Sequence, residues 1–249
     1  MEIAYYCINL PRAHERRRQI EQLAEQAKLH LRFVEGIEGS TIQADKARGY
    51  QRTRRLSYLT DLVPNEFGCI ESHRRALQTF LADAADYGVI LEDDAEFVTD
   101  IHVRLQSLCQ SISGFDILKL DLSAKKGFTI GNQDGLEVYA PFKPGVGAIG
   151  LLYTRSTAQK VLASLDSYRH PFDTHLGYVC CDQGLRVVAV HPALVWERTG
   201  SSLIGARPRR RRLPGIRTWC VDRCEIFHHS VMKRVLALHT MRAIEYHEH

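Results

Sequence analysis

No run of apolar residues in the 249-residue chain approaches the roughly 18–20 needed to cross a bilayer, so the sequence offers no membrane-spanning helix. Its 8 prolines and 17 glycines follow no three-residue period, which excludes collagen. No heptad pattern is sustained, no repeat recurs and no long low-complexity segment interrupts the chain, which excludes a coiled coil or a disordered tail. The opening Met1-Glu2-Ile3-Ala4-Tyr5-Tyr6-Cys7 lacks a basic stretch ahead of an apolar one and is not expected to act as a secretory signal. The 7 cysteines are odd in number and lack the spacing of a disulfide framework, so they are expected to be reduced and the protein intracellular. Cys220, Cys224, His228 and His229 invite a zinc reading, but their spacing departs from C-x2-C and half the ligands would come from one helical turn. Core packing is the reading adopted for them.

What is present is ordinary globular composition, 45% hydrophobic and 25% charged, in a length that supports a sizeable core. The net charge of +4 is unevenly distributed: residues 200–249 carry ten Lys/Arg against four acids, and the rest of the chain is slightly acidic. The positive charge therefore belongs to the C-terminal segment.

Short apolar runs alternate with longer amphipathic ones. Ala4 to Leu10 suits a buried strand ended by Pro11, and Ile20, Leu23, Ala24, Ala27 and Leu31 then recur at helical spacing. Residues 32–36 read as a second strand and residues 40–60, polar and basic, as a surface loop. A helix from Pro64 shows an inner face of Ile70, His73, Leu77, Phe80, Leu81 and Ala84, and Val89-Ile90-Leu91 is a buried strand. Further strands are expected near 115–120, 137–140, 150–153, 185–190 and 194–196, with Gly127 to Gly135 read as turn-rich. The β-α-β-α-β opening predicts an α/β fold with a mostly parallel central sheet and helices on both faces, and such sheets bind ligands at the carboxyl ends of their strands.

Glu92-Asp93-Asp94 is the sharpest feature. Three consecutive carboxylates directly after a buried strand repel one another and suit a crevice that holds a cation. Hard divalent ions such as Mg2+ and Mn2+ take oxygen ligands and bridge diphosphates. Strand alternation predicts Glu92 and Asp94 on one side and Asp93 on the other, the geometry of D-x-D motifs. A solvated acidic turn is the bland alternative.

Three ordered motifs carry a resemblance. Ile8-Asn9-Leu10-Pro11-Arg12 with Arg16-Arg17, the block Glu66-Phe67-Gly68-Cys69-Ile70-Glu71-Ser72-His73, and Val89-Ile90-Leu91-Glu92-Asp93-Asp94 resemble the opening, the E-x-G-C-x-x-S-H block and the I-L-E-D-D strand of glycosyltransferase family 25. Asn65 stands where that family often has Gly, and Gly147 to Leu151 resembles its G-[ST]-x-G-Y segment without the hydroxyl and the tyrosine. Ser202-Leu203-Ile204 resembles a late S-x-I element.

The resemblance implies a GT-A-type nucleotide-sugar-binding fold over residues 1–205, followed by a basic, helical C-terminal segment over 206–249. It implies an inverting transferase that moves a hexose, galactose the first choice, from a UDP-sugar to a saccharide of lipopolysaccharide or lipooligosaccharide, using Mn2+ or Mg2+. Asn9, Leu10 and Arg12 would meet the uridine, and Arg12 or Arg16 the phosphates. Glu92 or Asp93 would accept from ribose or sugar hydroxyls, Asp94 with Asp93 would bind the metal, and His73 is either a core histidine or a donor-site contact. Inversion needs a base. Asp173 is the first choice and Asp182 the second, the alternative for either being a helix N-cap. Lys119, in an apolar strand, is read as a sugar or phosphate contact or a snorkelling edge residue.

Arg207-Pro208-Arg209-Arg210-Arg211-Arg212 ahead of an apolar-striped segment is read as attachment to anionic inner-leaflet lipid, which a lipid-linked acceptor favours, or as a linker to a packed helix. The protein would then be peripheral on the cytoplasmic face of the bacterial inner membrane. No nucleic-acid motif accompanies the arginines, so no nucleic-acid partner is expected. Two other classes use the same features: a Mg-dependent phosphohydrolase or nucleotidyltransferase through Asp93 and Asp94, and a non-catalytic nucleic-acid-binding module through the basic tail.

Overall fold

The computed structural model describes residues 1–52, 61–121, 126–145, 147–198 and 216–247, with only the backbone described for 216–229. The chain begins with β1 (Ile3–Asn9), α1 (His14–Gln26) and β2 (Leu31–Glu35), continues through a 3-10 turn (Gly39–Thr41) into α2 (Pro64–Ala82) and β3 (Tyr87–Glu92), and then forms β4 (Ala95–Phe97), α3 (Ile101–Ser111), β5 (Ile112–Ser113) and β6 (Ile117–Lys119). A hairpin of β7 (Gly127–Gln133) and β8 (Leu136–Pro141) leads to β9 (Gly150–Thr154), α4 (Arg155–Ser164), α5 (Phe172–Asp182), β10 (Val187–His191) and β11 (Val195–Glu197). The last elements are α6 (Ile216–Ala243) and β12 (Glu245–Tyr246).

Eight strands form the central sheet in the order β2-β1-β3-β9-β6-β10-β8-β7. β9 and β8 run against the other six, so the sheet is mostly parallel in strand direction, with an antiparallel strand wedged between β3 and β6. All seven residues of β1 are buried, as a central strand covered on both faces requires. Their side chains alternate between two cores. Ala4, Tyr6 and Ile8 join Phe67, Ile70 and Leu77 of α2, Val161 of α4 and Leu176 of α5. Ile3, Tyr5 and Cys7 join Ile20 of α1 and Ile101 and Leu105 of α3. Helices therefore cover both faces.

The chain leaves β1 outward to β2 and returns on the other side to β3. That reversal opens a crevice at the carboxyl ends of β1 and β3, where the register pairs Ile8 with Glu92. β11 pairs antiparallel with β4 just beyond β3 and brings Glu197 to the same end.

Two segments differ from the sequence expectation. Gly127–Gln133 is a strand rather than a turn, and the reversal is confined to Asp134 and Gly135, both at positive φ. That is the twist a two-residue hairpin needs. Within residues 40–60, Tyr50 is buried and bridges Tyr168, which ties that stretch to the core. In α6, Leu236 and Ala237 are buried, and Leu236 joins the core of α2, α4 and α5. The arginines 207–212 lie outside the described residues, as do Ser202 to Ile204, and the side chains of Cys220, Cys224, His228 and His229 are likewise outside them. No helix among the described residues is long and apolar enough to cross a membrane. The five described cysteines form no disulfide with one another.

Candidate active site

The acidic cluster is built by two strand ends and one helix. Asn9 closes β1, and its Nδ2 donates to Asp93 Oδ2 at 2.8 Å. α1 starts five residues later, which returns Arg16 over the strand ends. There Arg16 Nη1 donates to Asp93 Oδ1 and to Asp94 Oδ2, both at 3.0 Å. The expected alternation of Glu92, Asp93 and Asp94 does not hold. β3 ends at Glu92, the chain turns through Asp93 and Asp94, and all three side chains face one cavity. The Arg198 N–H fixes the turn by donating to the Asp94 carbonyl at 2.8 Å.

Burial, and then repulsion from Glu92, raise the Asp94 carboxyl to about 6, against the pull of Arg16. Its Oδ1 is buried with no hydrogen-bond partner among the described residues. An orphaned carboxylate oxygen beside two more carboxylates is a donor set that fits a hard divalent cation. Asp94 and Asp93 are the residues that would hold it, and Arg16 is the cation that meets both in this structure.

The opposite wall comes from α2, and the E-x-G-C-x-x-S-H block explains itself residue by residue. The Glu66 carboxylate accepts the Val63 N–H at 3.0 Å and so caps the helix. A Cβ on Gly68 would stand 2.6 Å from the Ile37 carbonyl oxygen, so glycine lets residues 37–39 lie against the helix. Ser72 Oγ accepts the Ile37 N–H at 2.8 Å and donates to the Gly68 carbonyl at 2.6 Å. Cys69 and His73, one turn apart, then face the cavity. His73 is buried. Its ring stacks on Phe172 at 3.8 Å and 8°, and its Nε2 is 3.4 Å from Glu92 Oε1.

A third wall is formed by Gly147 to Ile149. Behind it Lys119, completely buried, donates from Nζ to the Gly147 carbonyl at 2.8 Å and pairs with Asp121 Oδ1 at 3.3 Å. Asp121 Oδ2 in turn accepts the Ile149 N–H at 3.2 Å. Lys119 therefore neither touches the cavity nor snorkels at an edge. It sits in β6, mid-sheet, and holds the wall from behind.

The cavity enclosed by these walls is about 290 Å3. Leu10, Arg12, Arg16, His73, Glu92, Asp93, Asp94 and Asp173 line it, and Asn9 supports it through Asp93. Arg12 is engaged by Glu38 at 2.7 Å. Asp173 sits in the first turn of α5, and its Oδ1 accepts the Thr174 N–H at 2.6 Å. Asp182, at the other end of α5, is exposed and does not line the cavity. Sequence reasoning missed Cys69, Glu38 and Glu197 as lining groups. The position of Cys69 four residues before His73 was a usable signal, whereas Glu38 and Glu197 arrive through tertiary packing alone.

An α/β sheet with a carboxylate-rich cavity at its switch point defines a class of proteins that bind ligands at strand ends. The family comparison sharpens this. The model for glycosyltransferase family 25 (LPS biosynthesis protein) matches residues 2–176, from β1 into α5, and the chain belongs to that family and is a glycosyltransferase. No curated protein matches it. Among solved structures, A197 from STIV aligns with a TM-score of 0.40 and 10% identity, covering 85% of this chain and 100% of that one. A mutant β-1,4-galactosyltransferase 7 from Drosophila, in complex with manganese, UDP-Gal and xylobiose, aligns with a TM-score of 0.42 and 10% identity, covering 87% of this chain and 79% of that one. Neither superposition is close enough to carry an argument.

Proposed function

We propose that the chain moves a hexose, galactose the first choice, from a UDP-sugar to a saccharide acceptor of lipopolysaccharide or lipooligosaccharide, with inversion and with a divalent cation, Mn2+ or Mg2+. Beyond family membership, the observation that carries this reading is the cluster of Asp93, Asp94 and Arg16 at the ends of β1 and β3, with Asp94 Oδ1 buried and unpartnered among the described residues. Leu10 and Arg12 bind the nucleoside side of the donor, and Asn9, expected beside them, acts through its hydrogen bond to Asp93. Arg16 exchanges its carboxylate partners for donor phosphate, a bidentate match that guanidinium makes well. Asp94 and Asp93 would hold the cation, whose chemistry there would be to neutralise charge developing on the leaving diphosphate.

Asp173 takes the proton from the acceptor hydroxyl as that oxygen attacks the anomeric carbon. What supports it over Asp182 is its place on the cavity wall. His73 orients Glu92 toward the sugar hydroxyls. The GT-A assignment, the division at residues 205 and 206, and attachment of the arginine-rich segment to the anionic cytoplasmic face of the inner membrane belong to the same proposal, since the acceptor would be lipid-linked. A nucleotide-sugar panel with acceptor saccharide, read by UDP release in Mn2+ and in chelator, tests it. Release from UDP-galactose that needs both acceptor and metal is expected. Phosphate or pyrophosphate release without acceptor would instead indicate a phosphohydrolase or nucleotidyltransferase.

A further inference from the structure

Ligand atoms of Cys69, His73 and Glu92, one from each, lie within 4.8 Å of one another on the α2 side of the cavity. The three come from two elements that the core fixes. Cys69 and His73 are one helical turn apart on α2, and Glu92 ends β3. His73 is 1% exposed and lines the cavity, and its Nδ1 has no hydrogen-bond partner among the described residues. A buried ring nitrogen left unmatched is costly unless something binds it. Stacking on Phe172 at 3.8 Å holds the ring plane in place.

The donor chemistry separates this cluster from the neighbouring carboxylates. Thiolate, imidazole and one carboxylate are a borderline-soft set of the kind that binds zinc, whereas Mg2+ and Mn2+ prefer all-oxygen sites. Asp93 and Asp94 are engaged by Arg16, but Glu92 turns to His73. We infer that Cys69, His73 and Glu92 form a three-ligand site for a thiophilic divalent cation of the zinc class, distinct from the Asp93–Asp94 position and leaving a fourth coordination place for a water or an anionic ligand in the cavity. The cation displaces the thiol proton on binding, and that proton goes to solvent. The site shares His73 and Glu92 with the donor-side roles proposed above, and its test reads metal binding alone.

Co2+ is the probe, because a cobalt–thiolate bond gives a charge-transfer absorption that oxygen-only sites lack. The 249-residue chain is tested with Cys220→Ser and Cys224→Ser introduced, so that these two cysteines cannot supply the signal. One equivalent of Co2+ producing that band, displaced by Zn2+ and not by excess Mg2+, is expected. Adding Cys69→Ser should abolish the band. Changing an outer-shell partner typically weakens metal sites 10–100-fold, so loss of a direct ligand in Glu92→Gln should weaken Co2+ binding at least ~10-fold while the band remains. Asp94→Asn should leave band and stoichiometry unchanged. Metal-free thermal unfolding of each variant shows that it folds, and should Cys69→Ser unfold, Zn2+ protection of Cys69 from alkylation in the parent takes its place. Absence of the band, its survival in Cys69→Ser, or its loss in folded Asp94→Asn overturns the assignment.

Discussion

Arg16 Nη1 stands 3.0 Å from Asp93 Oδ1 and 3.0 Å from Asp94 Oδ2, so one guanidinium spans the two carboxylates that sequence reasoning gives to a metal. The contacts join α1 to the turn after β3, elements 77 and 78 residues apart along the chain. With 22% of the Arg16 side chain exposed, the pair is only partly screened by water.

Arg16→Ala leaves both carboxylates facing each other without their cation. Breaking a fully buried pair costs about 3–5 kcal/mol, and partial exposure reduces that here to about 1–3 kcal/mol. A divalent cation should then replace what was lost. Thermal unfolding in chelator and in Mn2+ is the measurement: the variant is expected to melt lower in chelator and to gain more from Mn2+ than the parent does. Equal gains in both proteins would mean that cation and guanidinium do not share a site.

Asp94→Asn separates stability from function. The folded carboxyl lies at about 6, above the ordinary carboxylate range, so the folded state binds more protons than the unfolded one between about pH 4 and 6. Stability contributed at this residue therefore falls as pH rises through that window, and above it the ionised group is a net cost. Asparagine removes the cost. In chelator at pH 7.5 the urea midpoint of the variant should equal or exceed that of the parent, while sugar transfer falls at least ~100-fold through lost leaving-group stabilisation. Activity within tenfold of the parent would take the metal role away from Asp94.

Lys119→Met tests the wall behind Gly147. The substitution strands Asp121, only 3% exposed, without its ammonium and should cost roughly 3–5 kcal/mol. Adding Asp121→Asn to the same chain removes the unpaired charge and should recover more than half of the loss in urea unfolding. Gly147→Ala is a separate strain on the same wall, because φ there is +77° and a Cβ would meet Asp121 Oδ2 at 2.6 Å. If the single Lys119 variant unfolds like the parent, the buried pair holds nothing.

Much of this site is legible in the sequence. Val89 to Asp94 reads as a buried strand ending in acids because its apolar run is unbroken, and in β3 Val89 and Leu91 pack on one face of the sheet and Ile90 on the other. The motif at Glu66 to His73 reads as a helix start because Pro64 and Glu66 are N-terminal signals, and α2 begins at Pro64. The position of β9 between β3 and β6 is not legible, since a run such as Gly150 to Thr154 carries no information about its neighbours or direction. Nor is the direction of Arg16. Its helix is otherwise studded with exposed charges, including Arg17 and Glu21 paired to each other, and only the return of α1 over β1 turns Arg16 inward. Lys119 misleads for the opposite reason: a lysine in an apolar strand usually marks an edge, and its partner Asp121 becomes meaningful only once Gly147 is folded over both.

His175 supplies an acid-sensitive element away from the cavity. Burial holds its imidazole down to about 4, and its Nε2 lies 3.0 Å from Ser164 Oγ, which joins α5 to α4. The folded state resists protonation while the unfolded state accepts it, so stability is present above about pH 6.5 and lost as pH falls toward 4. The full effect is on the order of 3 kcal/mol. His175→Gln, which keeps a polar group toward Ser164 and cannot titrate, should flatten that part of the pH–stability curve from urea midpoints between pH 7 and 4.5. A curve as steep as the parent's would place the acid sensitivity elsewhere.

Two acids on one helix compete for the role of base. Asp173 opens α5 and lines the cavity, whereas Asp182 closes the same helix and is exposed. A base must reach the acceptor hydroxyl directly or through one water, and on that criterion Asp173 qualifies. Asp173→Asn keeps an oxygen that can accept the Thr174 N–H now bonded at 2.6 Å, so the helix start should survive and thermal unfolding should shift little. The variant should lose about 10²–10⁴-fold in turnover with acceptor, the usual cost of removing a general base. The slow hydrolysis of the UDP-sugar to free UDP should fall less, because water attack depends less on a base aimed at the acceptor. Asp182→Asn should leave both rates within about twofold of the parent, as a surface substitution does. Reversal of that pattern, with Asp182→Asn inactive and Asp173→Asn active, would require the acceptor to approach from outside the cavity and would dissolve the proposed geometry. Equal loss of transfer and hydrolysis in Asp173→Asn would instead assign Asp173 to donor binding and leave the base to another cavity carboxylate, Glu197 first among them.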